Sequence, residues 1–188
     1  AVIYTNSELR VWNFQSSLLS PAYATNLPAT ENLAALIGYP SNGKVYILDN
    51  KLGKVTNYQV SDKGLANPTA SIAENSELVG ASSLAIDSNI YVLNSGKILK
   101  FQSGQKQEFN TDLIVNLSND SLIYTENGFQ HLYVLDKQAK KIYIIDKAGK
   151  LIQTLASEGI TNPKDFTVDE KNKAIYLLND INLLKLPL

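Results

Sequence analysis

The carboxylates of this chain have the widest chemical reach. Asp165 and Asp169 flank one predicted strand, Asp87 ends another, and Glu126 follows a third. Were such strand ends to converge on an axis, a carboxylate pair about 5–10 Å apart could serve as acid and base on a glycosidic bond. Several together could instead hold a hard cation such as Ca²⁺ among oxygen ligands. The spacing matches no continuous calcium loop, and solvated carboxylates at strand ends are the simpler reading. His131 is the only histidine. It is one candidate base for a serine nucleophile, but no Gly-x-Ser-x-Gly elbow accompanies it. With no cysteine and one histidine, disulfides, thiolate ligands, a cysteine nucleophile and a multi-histidine metal site are ruled out. The 10 glycines are scattered and form no phosphate-cradling or dinucleotide fingerprint.

Charge narrows the partners. Seventeen basic residues balance eighteen acidic ones for a net charge of −1, and Arg10 is the only arginine. No strong field draws nucleic acid or an anionic membrane, and the bidentate phosphate fork is nearly missing. A protein, a peptide or a glycan is the expected partner. The 188 residues, 44% of them hydrophobic, suit one domain with a sizeable core. The longest apolar runs, Leu33 to Ile37 among them, fall far short of the ~20 residues of a membrane helix. The chain opens Ala1-Val2-Ile3-Tyr4 and contains no Met. It is expected to be part of a longer product, and its composition favours an exported or cell-surface prokaryotic domain over a cytoplasmic one.

The elements that must position these groups repeat. An apolar residue followed by tyrosine opens a strand five times, at Ile3-Tyr4, Val45-Tyr46, Ile90-Tyr91, Leu132-Tyr133 and Ile175-Tyr176. The tyrosines lie 42, 45, 42 and 43 residues apart, a period of about 43. Each strand runs into a polar break carrying Asn6, Asp49, Asn94, Asp136 or Asn179, then into a second strand. Asx side chains accept bonds from backbone two residues on, so each copy reads as a β-hairpin with the Asx as turn former. An apolar segment precedes four of the hairpins and a weaker one follows the first four. The repeat is therefore four strands, A to D.

Four antiparallel strands per period make the blade of a β-propeller. The expected fold is an all-β propeller with five recognisable repeats, approximately 1–34, 35–83, 84–121, 122–164 and 165–188. A rival is a larger ring whose remaining blades come from elsewhere in the chain or from a partner. The B–C turns and the long D–A connections (Ser16–Asn32, Ser61–Ser83, Ser103–Asp120 and Ala156–Lys164) emerge on one face, while the A–B turns opposite are short. That loop-rich face is the expected binding surface, with Asn6, Asp49, Asn94, Asp136, Asn179 and Tyr23 as its candidate contacts. Tyr23, Tyr39 and Trp12 could offer aromatic platforms or simply pack between blades. Asn116-Leu117-Ser118 and Asn119-Asp120-Ser121 match the N-glycosylation triplet.

The run Leu132-Tyr133-Val134-Leu135-Asp136, with Lys141-Ile142-Tyr143-Ile144-Ile145-Asp146-Lys147-Ala148-Gly149-Lys150 behind it, resembles NHL-type and related six-bladed propeller repeats. Val45-Tyr46-Ile47-Leu48-Asp49 followed by Leu52-Gly53-Lys54-Val55 is similar to a pyrroloquinoline-quinone-type blade motif, with Tyr58 or Phe14 where that family closes on Trp. Trp12 is out of phase, and the Gly-His and Trp-Asp pairs of WD40 blades are absent. The resemblance implies architecture and no particular chemistry. The expected function is a non-catalytic binding or scaffold domain with no cofactor, using the B–C/D–A face. Two alternatives stay open. One is a channel-centred, glycosidase-like hydrolase on Asp165 and Asp169, or a metal-dependent lectin with a cation in the channel. The other is a purely structural ectodomain.

Overall fold

The computed structural model describes residues 2–5, 8–13, 18–19, 33–61, 64–111 and 117–188. These form five antiparallel sheets, one per repeat, each a simple meander. Blade I holds β1 (Val2–Thr5), β2 (Glu8–Asn13) and β3 (Leu18–Leu19). Blade II holds β4 (Leu33–Tyr39), β5 (Lys44–Asp49), β6 (Lys54–Ser61) and β7 (Gly64–Ile72). Blade III follows with β8 (Ser83–Ile86), β9 (Ile90–Asn94), β10 (Lys97–Gln102) and β11 (Gln105–Gln107). Blade IV holds β12 (Leu122–Tyr124), β13 (His131–Asp136), β14 (Lys141–Asp146) and β15 (Leu151–Ala156). Blade V holds β16 (Pro163–Asp169), β17 (Ala174–Asn179) and β18 (Asn182–Pro187). Helix among the described residues is confined to one 3₁₀ turn, Ser76–Leu78. The all-β blade architecture is as the period predicts.

Blades II to V stack in sequence order, with their first strands innermost. β4 packs on β8, β8 on β12 and β12 on β16. Ser83 Oγ accepts a bond from Ile123 N at 3.1 Å, and Ser82 Oγ donates to Ser121 O at 3.0 Å, tying blade III to blade IV.

A strand buried on both faces sends alternate side chains to two neighbours. Tyr46 and Leu48 of β5 meet Leu84, Ile86 and Phe101 of blade III. Tyr91 and Leu93 of β9 meet Leu132, Val134 and Ile145 of blade IV. Tyr133 and Leu135 of β13 meet Phe166, Ile175 and Leu177 of blade V. In blades II to IV the recurrent tyrosine therefore faces the following blade. Burying each such Tyr or Leu stabilises by about 1.5–3 kcal/mol. Blade V has a different outer face, where Leu178 and Leu183 are 40% and 68% exposed. There Lys185 Nζ lies 5.8 Å from the Tyr176 ring centroid.

Two glycines mark where the connections press against turns. Gly53 sits at φ +62° in the B–C turn of blade II, and a Cβ there would stand 2.2 Å from Asn75 O. Gly149 sits at φ +100° in the C–D turn of blade IV, and its Cβ would meet Asn110 O at 2.0 Å. Both need the left-handed backbone and the missing side chain. Gly53→Ala and Gly149→Ala are each expected to cost about 2–3 kcal/mol, whereas Gly159→Ala, with only ordinary contact around it, is expected to cost about 1 kcal/mol or less. Chemical denaturation of the three variants checks this ranking.

Candidate functional site

At the B–C/D–A end, the Asx side chains are committed to the chain itself. Asp49 Oδ1 accepts from Lys51 N and Leu52 N at 3.0 and 2.9 Å. Asp136 caps its own turn through Gln138 N and Ala139 N, and also takes Ser118 Oγ (2.9 Å) and Ser118 N (3.3 Å) from the incoming connection. Asn179 accepts from Thr161 N and Asn162 N and donates to Gly159 O. Asn94 donates to Glu77 O and Val79 O at 2.7 and 3.0 Å. Asp49 and Asp136 are 1% and 2% exposed. These residues strap each connection to the next blade and leave few valences for a ligand. Asn6 and Tyr23 lie outside the described residues, as does Asn116 of the first glycosylation triplet. Ser121 of the second triplet is fully buried.

The structure does not pair the predicted carboxylates. Asp165 is the third residue of β16 and Asp169 its last, and four residues of strand span about 13 Å. Asp165 is exposed and accepts from Phe166 N at 2.8 Å. Asp169 accepts from Asn172 N and Nδ2 at 2.9 and 2.7 Å, and these bonds hold it below the usual carboxylate range. The channel pair expected of a glycosidase is therefore not formed by Asp165 and Asp169: a strand that carries both must separate them. Among the described residues, no three His, Asp or Glu side chains gather as a metal site would need.

Polar side chains instead concentrate at the A–B end, where the blades meet. Near the axis, Tyr39 and its turn from blade II, Ile86 from blade III, and Tyr124 to Asn127 from blade IV enclose a cleft of about 370 Å³. Tyr124 donates its hydroxyl to Glu126 Oε1 and accepts from Thr167 Oγ1 at 3.0 Å. Its ring lies 5.8 Å from Phe166 and 6.1 Å from Phe129, centroid to centroid. Burial, then the neighbouring Glu126, raises the Tyr124 pKa well above that of a free phenol.

Beside this cleft runs a half-buried ion pair. Lys147 Nζ, from the C–D turn of blade IV, sits 2.7 Å from Asp87 Oδ2 and 2.5 Å from Thr125 Oγ1. Thr125 Oγ1 in turn donates to His131 O at 2.9 Å. Burial draws the Lys147 pKa below its ordinary value, with Asp87 acting against that shift. The same ammonium lies 5.2 Å from the Tyr91 ring centroid. Tyr91 is pushed up to about 12 by burial and by Asp87.

Between blades IV and V, Glu170 reaches from the A–B turn of blade V to four donors of blade IV. They are Tyr133 OH (2.8 Å), Gln130 N (3.0 Å), His131 N (3.2 Å) and His131 Nδ1 (3.2 Å). Burial works to raise the Glu170 pKa, but these bonds outweigh it and hold the carboxyl low. His131 is thus an inter-blade clamp rather than a base beside a serine. The expectation that the loop-rich face is the binding surface passed over Glu170 and Tyr124 at the opposite end. The signal available for Glu170 was the recurrent tyrosine, since the hydroxyl of Tyr133 finds its partner there, across the seam.

No protein-family model matches the chain, and no curated protein matches it. Several solved structures share its fold. A streptogramin B lyase aligns over 97% of this chain and 62% of its own, at 17% identity and TM-score 0.62. A protein of unknown function from Bacteroides thetaiotaomicron aligns over 92% of this chain and 47% of its own, at 16% identity and TM-score 0.67. A chain of the nidogen/laminin complex aligns over 83% of this chain and 58% of its own, at 15% identity and TM-score 0.61. At these identities the likeness is one of β-propeller fold, and it does not single out the NHL or quinone-type repeat. The chain spans about half to three-fifths of the length of these structures.

The pH behaviour of the inter-blade network follows from its shifts. Glu170 is depressed from 4.5, so its contribution is complete above that pH and is lost as pH falls through the folded value. Glu170→Gln is expected to cost about 1 kcal/mol at neutral pH. The gap between wild type and variant should close below pH 4.5, as read by thermal unfolding. Tyr91, Tyr124 and Tyr133 are raised from 10.0. Their contribution is full below that pH and fades as pH rises past it, because only the unfolded chain then ionises freely. In alkaline titration their phenolate absorbance should appear together with unfolding.

Proposed function

We propose that this chain is a non-catalytic β-propeller binding domain that recognises a protein, peptide or glycan at the A–B end of its axis. The observation that carries this reading is the axial cleft itself. Two tyrosine rings and the aliphatic side chains of Ile37 and Ile86 line it together with neutral hydroxyl and amide groups. Concave sites with apolar walls and a few placed polar groups are the usual form of a ligand site. The titratable groups around it are engaged with one another, Glu126 with Tyr124 and Asp87 with Lys147. That arrangement favours holding a ligand over moving its protons.

The similar structures support a binding role only as one of the uses of this fold, since they include a lyase as well as a nidogen/laminin complex. A test is titration of the ¹⁵N-labelled chain with a panel of neutral oligosaccharides and short peptides, read by amide shifts. Shifts at residues 37–41, 86 and 124–127 are the expected result. Shifts confined to the B–C turns would move the site to the opposite end, and turnover of a panel member would overturn the non-catalytic reading.

A further inference from the structure

The axial cleft does not end at Tyr39. That residue and Ile86 also line a second cleft of about 390 Å³, which runs outward between blades II and III past Asn42, Tyr46, Asp87, Ser88 and Gly104. The two lie on either side of Tyr39 and Ile86, so a chain laid across these side chains would occupy both as one bent groove from the axis toward the rim. Among the described residues, its lining contains no lysine or arginine. Its acidic residues are answered from within, Asp87 by Lys147 at 2.7 Å and Glu126 by the Tyr124 hydroxyl. Lys147 thus offsets the charge of Asp87 and leaves the outer arm close to neutral, while Glu126, bonded to a neutral phenol, keeps its charge at the axial end.

Three hydroxyls of the outer arm are oriented in one sense. Tyr46 OH accepts from Asn42 Nδ2 at 2.9 Å, Ser71 Oγ from Asn57 Nδ2 at 2.8 Å, and Ser88 Oγ from Asn89 Nδ2 at 3.2 Å. Each oxygen takes an internal donor, which leaves its own proton to give to a ligand acceptor. At the bend, the Tyr39 ring stands edge-on to Tyr46, with centroids 6.3 Å apart and planes at 80°.

We infer that the groove binds an extended, uncharged oligosaccharide chain, with Tyr39 as the platform at the bend. This rests on the binding reading above and names its ligand class. A sugar ring offers an apolar C–H face to an aromatic ring and a rim of hydroxyls to amide and hydroxyl partners. The groove supplies both kinds of surface along its length. Among the described lining residues an anionic ligand finds no cation, and along the outer arm a basic peptide finds only Asp87, already paired with Lys147.

The test is isothermal titration of the chain with uncharged oligosaccharides in a length series from disaccharide to hexasaccharide, with sulfated analogues and lysine-containing peptides as comparators. Affinity for the uncharged series should rise with length, and the sulfated analogues should bind at least tenfold more weakly. Tyr39→Ala should weaken the longer sugars about tenfold, and Tyr39→Phe should keep most of their affinity. Ser88 is exposed in the outer arm, so Ser88→Tyr should remove the gain from length while leaving the disaccharide unchanged. An unaltered unfolding midpoint in Tyr39→Phe and Ser88→Tyr excludes misfolding as the cause. Affinity independent of length would overturn the extended site. Peptide binding in the same groove without sugar binding would overturn the oligosaccharide and leave the binding domain standing. If no probe perturbs residues 39, 42, 88 or 124, both readings fall.

Discussion

Everything in this molecule follows from sheets that are buried on both faces. A two-sided sheet has no solvent face to give up, so every strand near the middle of a blade must satisfy two neighbours at once. β13 shows the consequence: Leu132 and Val134 go to the core shared with blade III, while Tyr133 and Leu135 go to the core shared with blade V. No side chain on such a strand is free to be polar, except at a tip that reaches the seam between blades. Tyrosine is the residue that meets both demands, with a ring for the core and a hydroxyl for the edge.

That constraint makes the two ends of the barrel unlike. At the B–C/D–A end, long connections must cross between blades, and their backbone groups need partners. Asn94, Asp136 and Asn179 provide them, holding residues 77–79, 118 and 159–162. At the A–B end the turns are too short to cover the seams. The tyrosine tips emerge there, and so do Asp87, Lys147 and Glu170, which pair across blades rather than with water. A half-buried ion pair such as Asp87–Lys147 is weak evidence for stability by itself. Its effect here is to leave the seam without net charge, which decides what kind of molecule can lie in it.

The architecture was legible because the repeat carries its reason in its residues. The apolar-tyrosine pair recurs at the spacing of a blade, and the Asx recurs where each hairpin reverses. The weakest elements were the outer strands, since an edge strand has one partner and little pattern to show. β11 has three residues and β7 has nine, and the connection after β11 returns toward blade IV at Asn110. The site was less legible than the fold. A cleft between blades is made by side chains 40 or more residues apart, such as Gln130 and Glu170, and its depth depends on packing that no local pattern encodes. The loop-rich face drew attention for its length, yet its Asx residues are spent on backbone.

Rigidity then becomes the link between fold and recognition. Tyr39 is braced by Tyr46 of β5, and Tyr124 by Phe129 of the blade IV turn and by Phe166 and Thr167 of β16. Aromatic rings held this way have lost their freedom on folding, so a ligand that stacks on them does not have to immobilise them again. The same holds for Tyr46 OH and Ser88 Oγ, whose orientation is set by Asn42 and Asn89 before any ligand arrives. A groove of weak, neutral contacts can bind well only if its parts are in place beforehand. Blades locked face to face supply that condition, and the turns that were too short to hide the seam leave it open to use.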